Sequence, residues 1–154
     1  TGKGSGLDEE RFQHKIEIIK RAIEINSPEK DNPIDILSKL GGFDIAGMTG
    51  LFLGGAVHHN PIVIDGVISA VSALLAYRIN PESKNFMLCS HVSREPAGKL
   101  ILDAIGLRPI IDAGLCLGEG TGGIFLMPML DGALSVYNSS HKFENLPMER
   151  YVEF

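Results

Sequence analysis

Side chains that could do chemistry fall into three short clusters, each next to an apolar stretch of the chain. They are Asp65-Gly66, the segment from Ser90 to Glu95, and the glycine-rich segment from Gly118 to Gly123. In an open parallel sheet, ligands bind beyond the carboxyl ends of the strands, where segments of this kind lie. We therefore expect the three clusters to meet at one ligand site.

Glu119 is the leading candidate for acid–base chemistry. Gly118 and Gly120 flank it, and they allow the backbone to approach a ligand closely without crowding the carboxylate. Leu117 and the apolar run 124–127 predict a buried setting, which makes a carboxylate a better proton acceptor. The competing interpretation is an ordinary glycine turn that carries a solvated glutamate.

The opening segment, Gly2-Lys3-Gly4-Ser5-Gly6, leads into a predicted helix. A glycine-rich loop at a helix N-terminus can bind an anion, and Lys15 lies two turns inside that helix. The segment is not a Walker loop, because no Gly-Lys-Ser/Thr ends it. A flexible loop beside an ordinary surface lysine is the alternative interpretation.

Other chemistries have weaker support. His58 and His59 are adjacent and point in different directions from a helix end, and no Cys or His lies at ligand spacing, so no metal site is predicted. Ser90 and His91 are neighbours, and adjacent residues rarely form a nucleophile–base pair.

Composition narrows the class of protein. The 154 residues, 44% of them hydrophobic, suffice for one domain with a core. A net charge of −5 gives no general attraction for nucleic acid or an anionic membrane, and no apolar stretch is long enough to span a bilayer. Cys89 and Cys116 are too few for a disulfide framework. Together with the lack of a signal-peptide pattern, they predict reduced thiols in a cytoplasmic protein.

These candidates are positioned by alternating helices and strands, a pattern typical of an α/β fold with a parallel sheet. The helix that Asp8 caps should bury the face formed by Phe12, Ile16, Ile19 and Ile23. The small residues of the third helix predict close packing, and Pro128 should interrupt the last helix. Helices are predicted over 8–26, 32–41, 44–58, 67–77, 96–105 and 121–137, and strands over 61–65, 85–89 and, as a candidate third, 109–112.

Six blocks of sequence match one enzyme family in order and spacing. Together they resemble the C-terminal part of the nicotinate-nucleotide–dimethylbenzimidazole phosphoribosyltransferases, enzymes of cobalamin lower-ligand synthesis. The resemblance covers residues 1–138, and a polar tail, 139–154, lies outside it. The blocks are Gly2-x-Gly4-Ser-Gly-Leu-Asp8, Asn32-Pro-Ile-Asp35-Ile-Leu-Ser-Lys-Leu-Gly-Gly42, Gly47-Met-Thr-Gly50, Val63-Ile-Asp65-Gly66, Ser90-His91-x-Ser93-x-Glu95 and Leu117-Gly-Glu119-Gly-Thr-Gly122.

The resemblance implies a reaction, a fold and an assembly. The 5-phosphoribosyl group of nicotinate mononucleotide moves onto 5,6-dimethylbenzimidazole, which gives α-ribazole 5′-phosphate and nicotinate. The implied fold is a doubly wound, Rossmann-like parallel sheet flanked by helices, of which this chain holds part. A homodimer without a metal or an organic cofactor is also implied.

The resemblance assigns residues as well. Glu119 becomes the general base, with Leu117 against the benzimidazole and Gly118 as a further substrate-binding residue. The remaining implied substrate-binding residues are Gly2, Gly4 and Lys15 for the phosphate, and Asp65 and Ser93 for the ribose or pyridine region.

The family also has an earlier glycine-rich block and an N-terminal segment that helps to bind benzimidazole, and this chain contains neither. Together with the small number of predicted strands, this leads us to expect a missing N-terminal half and little activity from the isolated chain. The alternative function is a non-catalytic truncated homologue that binds a phosphate or an aromatic base. A dinucleotide-binding domain is disfavoured, because no Gly-x-Gly-x-x-Gly follows a predicted strand.

Overall fold

The computed structural model describes residues 1–4, 6–115 and 118–139. Two short strands, β1 (Ile62–Ile64) and β2 (Met87–Cys89), lie among the helices, and a 3-10 turn, Pro81–Phe86, precedes β2. The alternation of helices and strands predicted from the sequence is confirmed. The helices are α1 (Glu9–Asn26), α2 (Pro33–Leu40), α3 (Phe43–Val57), α4 (Val67–Ile79), α5 (Pro96–Ile105) and α6 (Thr121–Ser139).

Local sequence signals set several helix ends. The Asp8 side chain accepts a hydrogen bond from the Arg11 N–H over 2.8 Å, and Asn32 caps α2 in the same way. Both side chains satisfy a backbone donor that the first turn leaves without a helical partner. At its other end, α5 stops at Gly106, whose φ of 75° is the left-handed conformation that glycine adopts at low cost.

The sheet is small and parallel. Ile62 of β1 lies opposite Met87 of β2, and Ile64 lies opposite Cys89. The helices that connect and surround the two strands cover them, as the crossover geometry of parallel strands requires. The result is an α/β arrangement of two parallel strands flanked by helices.

The candidate third strand over 109–112 is reduced to one parallel bridge, between His91 and Ile111. There the Ile111 N–H donates to the Ser90 carbonyl over 2.8 Å. Pro109 has no N–H to offer, and Gly114 takes a left-handed φ of 64°, so the chain runs beside β2 only briefly. The prediction of a full third strand is therefore wrong.

The core lies between α3, α4 and α5 and the two strands. In α3, a Cβ on Gly55 would lie 2.5 Å from Cγ1 of Ile62 and 2.8 Å from the Asn60 carbonyl. Close packing of α3 thus depends on Gly55, whereas a Cβ on Gly47 or Gly50 would meet no atom within 4 Å. The buried core residues are Phe52, Ile64, Ala70, Ala73, Ala76, Met87, Cys89, Leu102 and Ile105.

Two predictions about the outer helices are wrong. In α1, Phe12 and Ile16 are half-buried, Ile19 is 37% exposed and Ile23 is 47% exposed, so no residue of the predicted face is fully buried in the described structure. The reason is that α1 packs mainly against α2 and lies away from the core. α6 continues through Pro128, although a proline in a helix interior lacks the N–H that would donate to the preceding turn.

No helix within residues 1–4, 6–115 and 118–139 combines the length and the apolarity needed to cross a bilayer. Of the predicted polar tail, 139–154, Ser139 is the last residue of α6, and the rest lies outside the described residues.

Candidate functional site

The three polar clusters meet at one cleft of about 580 Å³. Asp65 comes from the end of β1, Ser93 and Glu95 follow β2, and Glu119 precedes α6. Both strands end at the same edge of the sheet, as parallel strands do. The cleft is therefore built at the carboxyl edge of the sheet, where the sequence predicted a ligand site.

The carboxylate of Asp65 joins the end of β1 to the start of α6. Its Oδ1 accepts hydrogen bonds from the backbone N–H groups of Gly122, at 2.8 Å, and Gly123, at 3.3 Å. Its Oδ2 accepts from the N–H of Gly120 at 3.0 Å. These donors belong to the first turn of α6 and its approach, so Asp65 acts as a cap supplied from another element.

Glu119 sits in a run of left-handed residues. Its φ is 55°, between Gly118 at 74° and Gly120 at 81°. The turn closes on Gly118, whose carbonyl accepts from the Thr121 hydroxyl at 2.7 Å and from the Thr121 N–H at 3.1 Å. Such a conformation is uncommon for a residue with a Cβ, and the neighbouring bonds hold it.

The predicted burial of Glu119 is wrong, because the residue is exposed and opens onto the cleft. Of the apolar run 124–127 that was expected to cover it, Leu126 is buried, whereas Ile124, Phe125 and Met127 are 69%, 59% and 47% exposed. Leu117, the other expected neighbour, lies outside the described residues. The carboxylate is thus placed for contact with a ligand rather than sequestered.

His91 is buried at the back of the cleft beside Ser90. The Ser90 hydroxyl donates to the Ile64 carbonyl over 2.7 Å and lies 3.0 Å from Nδ1 of His91. Since a hydroxyl has one hydrogen, Ser90 accepts from His91, and the Nδ1 nitrogen carries a proton. That nitrogen is also 3.9 Å from Oδ1 of Asp65, an arrangement that favours the same tautomer.

The opening loop reaches the second cluster. Lys15 Nζ donates to the Gly2 carbonyl over 2.9 Å, and Gly2 packs so closely on the Glu95 carboxylate that a Cβ would collide with Oε2. Lys15 itself does not line the cleft of Glu119, and Gly4 is exposed with φ 72°. The loop and Lys15 therefore flank the cleft at its Glu95 side.

The sequence placed Glu95 and His91 in one of the three clusters, but Glu95 received no individual role and His91 was weighed only as a base for Ser90. Both line the cleft. Their position directly after β2 was the available signal, since residues that follow a parallel strand face the ligand edge. Among the described residues, no group of three or more His, Cys, Asp or Glu side chains is arranged to hold a metal ion.

Chemically, the cleft offers the exposed carboxylate of Glu119 on a glycine turn, the buried His91, and two further carboxylates, those of Asp65 and Glu95. The fold and the cleft together define an α/β protein with a carboxylate-lined cleft at the carboxyl edge of a parallel sheet. A profile described as phosphoribosyltransferase matches residues 1–146 of the chain. The chain belongs to the nicotinate-nucleotide–dimethylbenzimidazole phosphoribosyltransferase family.

Relatives with that name include proteins of Clostridium acetobutylicum, 51% identical over 151 residues, and Acetivibrio thermocellus, 46% identical over 151 residues. Each alignment covers 98% of this chain and 43% of the relative. The crystal structure of CobT from Thermus thermophilus matches with a TM-score of 0.84 and 33% identity, over 97% of this chain and 44% of that one. The chain thus spans less than half the length of these relatives.

Proposed function

We propose that the protein transfers the 5-phosphoribosyl group of nicotinate mononucleotide to 5,6-dimethylbenzimidazole, with Glu119 as general base. The observation that carries the proposal is the position of Glu119: an exposed carboxylate, on a turn of left-handed residues, that opens onto the cleft. The relatives that share this part of the chain are named for that reaction. The products would be nicotinate and α-ribazole 5′-phosphate.

The chemistry needs one proton acceptor. As the bond between the ribose C1′ and the quaternary pyridine nitrogen breaks, nicotinate leaves with the electron pair and requires no general acid. One benzimidazole nitrogen bonds to C1′, and the proton on the other ring nitrogen passes to the Glu119 carboxylate. Proton transfer to a positioned base of this kind is worth about 10² to 10⁴ in rate.

The remaining residues of the cleft suit the other parts of the substrates. We assign Ser93 to the ribose or pyridine region, since it lies in the same cleft as Glu119. Lys15, Gly2 and Gly4 are assigned to the 5′-phosphate, because Lys15 is positively charged and its Nζ bonds the Gly2 carbonyl of the glycine-rich loop beside the cleft. Gly118 lets a ligand approach the turn, and Leu117 is assigned to the benzimidazole on family resemblance alone. A homodimer is part of the same proposal.

The test is Glu119→Gln in the complete enzyme, with the expected N-terminal half present, and single-turnover formation of α-ribazole 5′-phosphate is the measurement. The amide keeps the shape of the side chain but cannot take the proton, so we expect the rate to fall by about 10²-fold or more. Binding of nicotinate mononucleotide should change little. Glu17→Gln, which alters an exposed glutamate on α1, is the matched control and should keep the parent rate.

An unchanged rate in Glu119→Gln would remove Glu119 from the role of base. If the unsubstituted protein, with its expected N-terminal half present, bound both substrates and formed no product, the transferase proposal would fail. The alternative of a non-catalytic homologue that binds a phosphate or an aromatic base would then stand.

A further inference from the structure

We infer that Asp65 is a positioning residue that fixes the backbone of Glu119, rather than a group that binds the ribose or the pyridine. The inference rests on the proposed function and deepens it. Its basis is that both oxygens of the Asp65 carboxylate already accept hydrogen bonds from the backbone at the start of α6. An oxygen engaged in this way has less capacity left for a ligand hydroxyl.

These bonds lie directly beside Glu119 along the chain. The N–H of Gly120 belongs to the peptide that begins at Glu119, and it donates to Oδ2 of Asp65 at 3.0 Å. The N–H groups of Gly122 and Gly123 donate to Oδ1. Asp65 therefore bonds both Gly120, the residue directly after Glu119, and the first turn of α6.

Glu119 itself has an unfavourable backbone conformation. A left-handed φ of 55° is unfavourable for a residue with a Cβ and persists only where the surroundings impose it. The Asp65 bonds and the Thr121 bonds to the Gly118 carbonyl are the described interactions that impose it. Without Asp65, the turn would keep its Thr121 closure but lose its attachment to β1.

The start of α6 is also restricted sterically. Gly122 lies against the ring of His91, which leaves no room for a Cβ, and such a Cβ would also lie 2.8 Å from Oδ1 of Asp65. His91 is buried and is itself held by Ser90. The start of α6 therefore packs against the buried ring of His91. The bonds from Asp65 attach the Glu119 turn to that fixed position.

The N-terminus of α6 is consequently occupied. A helix N-terminus is a ready site for a phosphate, but here the protein's own carboxylate takes the N–H groups of Gly122 and Gly123. An incoming phosphate would compete with a charge already in place.

Asp65→Asn is a graded perturbation, because it retains one carbonyl oxygen and replaces the other with an NH₂ group. If the retained oxygen keeps the bonds to Gly122 and Gly123, the NH₂ group faces the Gly120 N–H, and donor meets donor. We expect kcat to fall about 10- to 100-fold, the scale of a misplaced catalytic group, with KM for nicotinate mononucleotide nearly unchanged. Asp103→Asn, at an exposed aspartate paired with Lys99, is the matched control.

The decisive measurement is a double-mutant cycle with Glu119→Gln. If Asp65 acts through Glu119, adding Asp65→Asn to Glu119→Gln should lower the rate no further. A rise in KM with kcat unchanged would make Asp65 a substrate-binding residue and overturn the inference. Fully additive losses would overturn it as well, because Asp65 would then act independently of Glu119.

Amide hydrogen exchange in the unsubstituted protein tests the inference even if Asp65→Asn does not fold. The N–H groups of Gly120 and Gly122 should exchange more slowly than the amides of exposed loops. Exchange as fast as that of exposed loop amides would show that Asp65 does not hold these groups. This measurement does not depend on turnover. An unchanged rate in Glu119→Gln would therefore defeat the proposed function while the exchange result still reports on Asp65.

Discussion

Replacing Glu119 with glycine should make the protein more stable than replacing it with alanine. Glu119 has a φ of 55°, and in the described structure its side chain has no hydrogen-bond or ion-pair partner, so truncation breaks no contact there. Alanine keeps the left-handed strain, which is about 1–2 kcal/mol for a residue with a Cβ. Glycine removes the strain but adds about 0.5–1 kcal/mol of unfolded-state entropy.

The net difference is about 1 kcal/mol in favour of glycine, which for a chain of this size is about 2–4 °C in Tm. Chemical denaturation with matched slopes gives the free energies directly. Both variants lack the carboxylate, so both should lose turnover to the same extent. Glu119, the proposed general base, would then be a residue whose backbone conformation lowers the stability of the fold.

Glu17 supplies the control, because it is an exposed glutamate inside α1 with ordinary helical backbone. At that position glycine should be less stable than alanine by about 1 kcal/mol, the reverse sign. If alanine at position 119 proved as stable as glycine or more so, the left-handed turn described for Glu119 would be refuted.

Three further predictions concern other parts of the molecule. Lys15→Ala should weaken binding of nicotinate mononucleotide by about 1.5–3 kcal/mol in calorimetry, with little effect on the unphosphorylated nucleoside. Equal losses for the two ligands would give Lys15 a structural role. Gly55→Ala should destabilise the protein by about 1–3 kcal/mol in denaturant, because its Cβ would lie 2.5 Å from Ile62. Gly50→Ala, on the open side of the same helix, should instead stabilise it by about 0.5–1 kcal/mol, and equal effects would contradict the packing described for α3. Burial raises the pKa of the Cys89 thiol to about 11, so its contribution to folding is complete below pH 9 and disappears as the pH rises to 11. Cys89→Ala should show a shallower fall in unfolding free energy over that interval, and parallel curves would contradict this account.

The sequence predicts the helices well because their ends are locally determined. Asp8 and Asn32 cap α1 and α2 by bonds to the third residue beyond them, and Gly106 supplies the left-handed stop of α5. The burial of a helix face is not local. The apolar spacing in α1 is real, but which element covers it depends on tertiary packing, and the described structure leaves Ile19 and Ile23 open.

The same distinction applies to the cleft. The position of each polar cluster after a strand or before a helix predicts where the clusters meet, because strand order and direction decide it. Which atoms then satisfy Asp65 cannot be read from spacing, since its partners lie 55 to 58 residues away. The glycines on either side of Glu119 correctly indicated open space around its carboxylate. They do not determine whether the neighbouring apolar residues pack over it, because that depends on tertiary structure.

The distance along the chain between Asp65 and the Glu119 turn has a consequence for the order of folding. The main core cluster runs from Phe52 to Ile105, so one continuous stretch can collapse before the Glu119 turn and the buried Leu126 of α6 join it. The turn then docks through a few bonds to a partly exposed carboxylate, and attachments of that kind open more readily than a packed interior. In mild denaturant the cleft should therefore lose its shape while the core persists. On refolding, the core should form first and the cleft last, since its contacts close the longer loop.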